Sequence, residues 1–292
     1  MTSPALATAS RRGAHPLSAR WVVLIALYAA LGVAGALYLA GSTAPGADLD
    51  TYRRAGRDLW ELGNPYASAA SLPQDYQYRY PPLLAMVIPA LGWPPLWYAV
   101  MALATAVPIA LAYRHAGPAA LLPAALLIGP WLQVLVNGNV QPVVVATLAL
   151  VPLHRRAGAI GLALATMLKL HPALAVVWYA GRRDWSALRW YAAALVVLLL
   201  VQAPWLDDFV AYYLADPAAT DMRAGMSLRA IGPLVWVAGT VALGVVAFRW
   251  ADSRYGWLLA TLLQLAALPR VLLVNLALLL ASPLPPPRRD PR

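Results

Sequence analysis

Two aspartates, Asp48 and Asp50, stand two residues apart just after the first long apolar run. A carboxylate at a membrane boundary can take a proton from a hydroxyl, because partial burial raises its proton affinity towards the range a general base needs. Asp50 has a second reading, since it could cap a helix beginning near Thr51 or Tyr52. Further along come Tyr76, Tyr78 and Tyr80 with Arg79. Alternate rings can stack on sugar faces, and a guanidinium can grip a phosphate with two parallel hydrogen bonds. An interfacial aromatic belt would have the same composition.

Lys169 is the single lysine in a chain with 22 basic residues, and it lies inside an apolar segment. An ionisable group at membrane depth is costly and therefore a functional candidate. Binding a lipid phosphate is the sharp reading, and snorkelling to the interface is the bland one. His171 could share that site or pack on Pro172. Asn137, Asn139 and Gln141 are amides at a turn between two apolar runs, suited to holding a sugar or headgroup, or to satisfying the turn's own backbone.

The elements that must position these groups are apolar helices. Hydrophobic residues make up 61% of the 292 residues and charged residues only 12%, far from a soluble average. Runs of roughly 20 apolar residues, enough to cross a hydrocarbon core, recur along the chain, which predicts an all-α polytopic membrane protein of about eight to ten crossings. The formal charge of +10 comes from arginines at the ends of apolar segments, which are topology anchors and headgroup contacts rather than a nucleic-acid face. There is no cysteine, and the four histidines are not spaced as metal ligands. No cofactor is expected.

Residues 1–19 read as a disordered cytoplasmic lead and 284–292 as a disordered Pro/Arg tail, flanking a membrane domain over 20–283. Arg11, Arg12 and Arg20 precede the first span, Trp21 to Ala40, and put the 41–80 loop outside the cytoplasm. That loop and the 205–229 loop together hold nine of the twelve acidic residues. In the first loop Tyr52, Ala55, Leu59 and Leu62 fall at helical spacing, stopped by Gly63-Asn64-Pro65, which predicts a short amphipathic helix on the membrane surface or a solvated loop helix. Breaks are expected at Trp93-Pro94-Pro95, at Lys169-Leu170-His171-Pro172 and at Pro269-Arg270. No internal repeat is evident.

The order of these pieces resembles glycosyltransferase family 87, the polyprenol-phosphate-dependent mannosyltransferases of the C-type superfamily. Asp-Leu-x-x-Tyr follows the first helix (Asp48 to Tyr52), then Leu62-Gly63-Asn64-Pro65-Tyr66, then Tyr78-Arg79-Tyr80-Pro81-Pro82. Gly138-Asn139-Val140-Gln141 stands where the family more usually reads Gly-Gln-Val-Asn. Lys169-Leu170-His171-Pro172 matches a Lys-Leu-x-Pro, and Met226-Ser227-Leu228-Arg229 resembles the end of an Asn-Gln-Ser-Leu motif.

The resemblance implies a transmembrane bundle with a large first extracytoplasmic loop in the plasma membrane. It also implies inverting transfer of a sugar, mannose being the family's usual one, from a polyprenyl phosphate to a glycolipid or glycan. Asp48 would be the base, with Asp50 as its neighbouring candidate. Lys169, Arg79 and Arg229 would face the phosphate. Tyr52, Tyr78, Tyr80, Asn139, Gln141 and His171 would complete the substrate site. From the residues alone, a flippase for a lipid-linked sugar and a non-catalytic membrane partner stay open.

Overall fold

Glycine and proline decide where the helices of this chain start and stop. The structure, a computed structural model, describes residues 18–39, 45–73, 77–215, 227–268 and 273–281. The expected N-terminal lead (apart from Ser18 and Ala19), the 284–292 tail, Tyr76 and Arg270 lie outside them. The described residues are helical, with no strand.

The first helix, α1, spans Ala19–Leu39, and α2 spans Ala47–Leu62 between two left-handed glycines, Gly46 (φ 78°) and Gly63 (φ 75°). Prolines at their first positions open α3 (Pro82–Leu91) and α4 (Pro94–Ala116). A turn over Gly117–Ala120 leads to α5 (Leu121–Leu126) and α6 (Ile128–Asn137), which ends at Gly138 (φ 69°). Next come α7 (Gln141–Leu150) and α8 (Arg155–Leu168). The expected break at Lys169 is a 3₁₀ turn, His171–Ala175, before α9 (Val176–Gly181).

Asp184 caps α10 (Trp185–Gln202) through the Ala187 amide. The chain stays helical through Ala203–Trp205 into α11 (Leu206–Ala215), so the second acidic stretch does not start as a loop. Asp207 and Asp208 stand where about 20 residues from Trp185 have used up a membrane thickness. After α12 (Leu228–Ile231), α13 (Pro233–Arg249) packs on α14 (Gly256–Ala267), and Leu273–Ala281 closes the described chain.

Among the described residues two helical stretches, Pro94–His115 and Trp185–Leu214, are long and apolar enough to cross a membrane. A third is added if α5 and α6, bent by 60° at their junction, act as one span. The outer faces of α10 and α13 carry exposed Val197, Leu200, Leu234 and Val241, apolar surface that suits hydrocarbon better than water.

Two expectations for α2 are corrected. The helix starts at Ala47, four residues before Thr51, so Asp50 lies inside its first turn and its amide already bonds to the Gly46 carbonyl. Its side chain is exposed and only loosely paired with Arg53, at 3.8 Å. Asp50 is therefore not the cap. Moreover, Tyr52, Ala55 and Leu59 are buried against α3 and α6, while Leu62 is exposed. The face read as lying on lipid is covered by protein, because Gly56 and Ala85 let the two helices approach closely. Burying residues of the size of Tyr52 and Leu59 contributes on the order of 1.5–3 kcal/mol each.

Candidate functional site

The site is built on the turn between α6 and α7. Gly138 takes the left-handed conformation that lets its amide and that of Asn139 return to Leu135 and Val134 and satisfy the end of α6. A Cβ on Gly138 would stand 2.8 Å from Leu49 Cβ, so the first turn of α2 presses directly on this turn. Two further bonds tie the two together, and a third anchors the turn to α4. The Gly46 amide donates to the Val136 carbonyl (2.8 Å), the Trp97 indole donates to the Gly138 carbonyl (2.8 Å), and the Val140 amide donates to the Tyr52 hydroxyl (3.4 Å).

The Asn139 side chain is then fully committed. Its Oδ1 accepts from the Gln141 amide at 2.8 Å and from Lys169 Nζ at 3.2 Å. That leaves its Nδ2 to donate to Asp48 Oδ2, at 2.8 Å. Two donors on one side fix which end of the amide is oxygen, so the orientation follows from the bonding. Lys169 Nζ also donates to Gln141 Oε1 at 2.7 Å and lies 5.5 Å from the centre of the Tyr80 ring. Tyr80 in turn accepts from the Tyr52 hydroxyl at 3.2 Å.

Asp48, Asn139, Gln141, Lys169, Tyr80 and Tyr52 thus form one connected group drawn from four separate stretches of sequence. Burial raises the Asp48 carboxyl above its ordinary value of 3.8, against the lowering effects of the Asn139 bond and of Lys169. Burial raises the Tyr52 hydroxyl as well, with help from Tyr80 and Asp48, so both phenols stay neutral donors and acceptors. Among the described residues Asp48 Oδ1 accepts no hydrogen bond and the Gln141 Nε2 donor has no partner. No family model, curated protein or solved structure matches this chain.

The other sequence candidates sit elsewhere. Tyr78 is buried, at 3% exposure, and belongs to the frame: its hydroxyl donates to the Pro81 carbonyl (2.7 Å) and accepts from the Ala85 amide (3.1 Å). Such a ring cannot stack on a sugar. Arg79 turns to Gln77 Oε1, which also accepts from the Tyr212 hydroxyl. Since Tyr212 stacks on Tyr66 at 4.9 Å, α11 does lie across the first loop. Arg229 lies over the Trp236 ring in the turn before α13. His171 has both ring nitrogens buried and without hydrogen bonds, with Lys169 and Gln264 as polar neighbours.

Sequence reasoning passed over Trp97, Gln202 and Gln264. Each interrupts or punctuates an apolar run with a polar atom, which is the signal that could have drawn attention to them.

Proposed function

We propose that this chain is a membrane glycosyltransferase of the C-type superfamily, related to glycosyltransferase family 87. In this reading the chain forms a bundle of about eight to ten crossings, the number suggested by the recurrence of long apolar runs in the sequence. The site opens on the extracytoplasmic face of the plasma membrane, and a sugar, mannose by the resemblance, moves with inversion from a polyprenyl phosphate to a glycolipid or glycan hydroxyl.

One observation carries the reading. The Asn139 amide holds a carboxylate on one end and an ammonium on the other, without a direct ion pair between them. The reaction needs those two groups on opposite sides of the anomeric carbon. The acceptor oxygen forms its bond to that carbon as its proton passes to Asp48 Oδ1, which faces no protein donor. The bond to the phosphate oxygen breaks with its electron pair, and the departing charge meets the third N–H of Lys169, two being already used. Gln141 Nε2, a buried donor without a partner, belongs to the same residue that accepts from Lys169. The leaving lipid phosphate makes a nucleotide and a metal unnecessary to this scheme.

Replacing Asp48 with Asn and measuring transfer from a radiolabelled polyprenyl-phosphate sugar in membranes tests the reading. Loss of transfer with retained donor binding is expected, because the isosteric amide keeps the contact with Asn139. Undiminished turnover would remove Asp48 as base. Donor binding without product in the unaltered protein would make the chain a non-catalytic partner instead.

A further inference from the structure

A second charged feature lies on the far side of α2. At about 100° per residue, Arg53, Arg54 and Arg57 point roughly half a turn away from Asp48. They line a groove of 690 Å³ between α2, the end of α3 and the start of α4. Such a volume is large enough to take a lipid headgroup.

The groove is shaped by close approach. A Cβ on Gly92 would stand 3.2 Å from Arg53 Cγ, so the glycine is what lets the arginine stem lie along the end of α3. Trp60 and Trp93, 64% and 67% exposed, also line it. Exposed indoles flanking arginines are the pattern of a membrane-water boundary.

The cations have little to neutralise them. Arg53 is 3.8 Å from Asp50, a loose and exposed pair worth little. Among the described residues Arg54 and Arg57 have no carboxylate within 4.0 Å, and the Arg54 Nη1 atom is buried without a hydrogen-bond partner. Even with Asp50 and Glu61 counted, arginines outnumber acids in the lining three to two.

We propose that this groove binds the phosphate of an anionic lipid, with Arg53 and Arg57 as the fork on its oxygens, Arg54 behind them and the two indoles against the lipid's glycerol or isoprenoid end. Guanidinium forks one helical turn apart match a phosphate's two or three oxygens, and a lipid delivers that group at the depth where the indoles sit. The site is separate from Asp48 and does not depend on the transfer reaction.

Native mass spectrometry of the full chain in neutral detergent tests it, with short-chain phosphatidylglycerol, farnesyl phosphate, short-chain phosphatidylcholine and inorganic phosphate as probes. Retention of phosphatidylglycerol or of farnesyl phosphate is expected, and which of the two is held identifies a glycerolipid or an isoprenoid ligand. Arg53→Gln with Arg57→Gln should weaken that retention at least tenfold. Both arginines are exposed, so the double variant should fold. Arg53→Lys with Arg57→Lys keeps the charge without the fork and should recover only part of the binding.

Unchanged retention in the glutamine variant would overturn the proposal. So would equal retention of phosphatidylcholine, full recovery by the lysine variant, or displacement of the lipid by inorganic phosphate at the same concentration.

Discussion

Asn139 donates to Asp48 across 91 residues of sequence, at 2.8 Å, and accepts from Lys169 with its other end. One amide therefore sets the distance and the bearing between the only lysine and the half-buried carboxylate. A direct pair would have cancelled both charges and left nothing for a ligand to do. Holding them apart with a neutral spacer keeps each available, at the cost of desolvating two ions.

Asn139→Asp removes the donor and sets carboxylate against carboxylate, while the acceptor for Lys169 and for the Gln141 amide survives. Loss of a hydrogen bond to a charged group corresponds to about 1.5–3 kcal/mol, or roughly tenfold to a hundredfold in kcat/KM. The measurement is kcat/KM from transfer rates over a range of donor concentrations, with donor binding scored separately. Unaltered kcat/KM would mean that Asn139 serves the turn alone.

Lys169→Met leaves the Gln141 and Asn139 oxygens without their shared donor, and Gln141 is fully buried. Asn139 Oδ1 keeps the Gln141 amide, so a destabilisation of about 1–3 kcal/mol is expected from the one unsatisfied acceptor, Gln141 Oε1. Loss of the cation facing the leaving phosphate should lower turnover by about 10²–10³. Lys169→Arg keeps the charge but brings a broad planar head into a slot shaped for an ammonium, and should give an intermediate rate. Thermal unfolding and turnover of the same detergent preparation separate the two effects.

Much of the frame could be read from the chain. Pro82, Pro94 and Pro142 mark real helix starts, Gly63 and Gly138 real stops, and Lys169 a real break. Asp48, Asn139, Gln141 and Lys169 were legible as chemically capable residues, but their union was not, because it depends on how α2 docks on a turn some ninety residues later. The start of α2 was misjudged because Gly46 replaces a polar cap, so no side chain announces it. Tyr78 was misplaced for a related reason: a tyrosine in an aromatic patch and a tyrosine that caps a neighbouring helix look alike until that helix is in position.

The role of Tyr78 makes its own prediction. Helix α3 opens with Pro82 and has no cap of its own, yet its Leu83 amide donates to Gln202 Oε1 at 2.7 Å and its Ala85 amide to the Tyr78 hydroxyl at 3.1 Å. Two side chains, Tyr78 from the segment just before the helix and Gln202 from the end of α10, thus replace a residue at the cap position itself. Tyr78→Phe leaves the Ala85 amide buried without a partner and should cost about 1–3 kcal/mol. It should lower the unfolding temperature with no change in KM for donor or acceptor. A shift in KM with unchanged stability would return Tyr78 to the substrate site.

The raised Asp48 carboxyl predicts opposite pH trends for turnover and for stability. Burial is the largest cause of its rise above 3.8, and it disfavours the ionised form. A base must be ionised to act, so turnover should rise with pH through the elevated value, later than an ordinary carboxylate would allow. Stability runs the other way. Between 3.8 and the elevated value the folded chain holds a proton that the unfolded chain has released, so this group's contribution weakens as pH rises through that window. Above it, the folded chain carries the full penalty of a buried charge. Asp48→Asn has no such proton to lose and should therefore match or exceed the parent in unfolding temperature near neutral pH, with the gap closing in acid. Comparing the two proteins cancels the titration of other groups. A variant that is less stable than the parent at neutral pH and equally so in acid would show that the carboxylate is held for structure rather than for proton transfer.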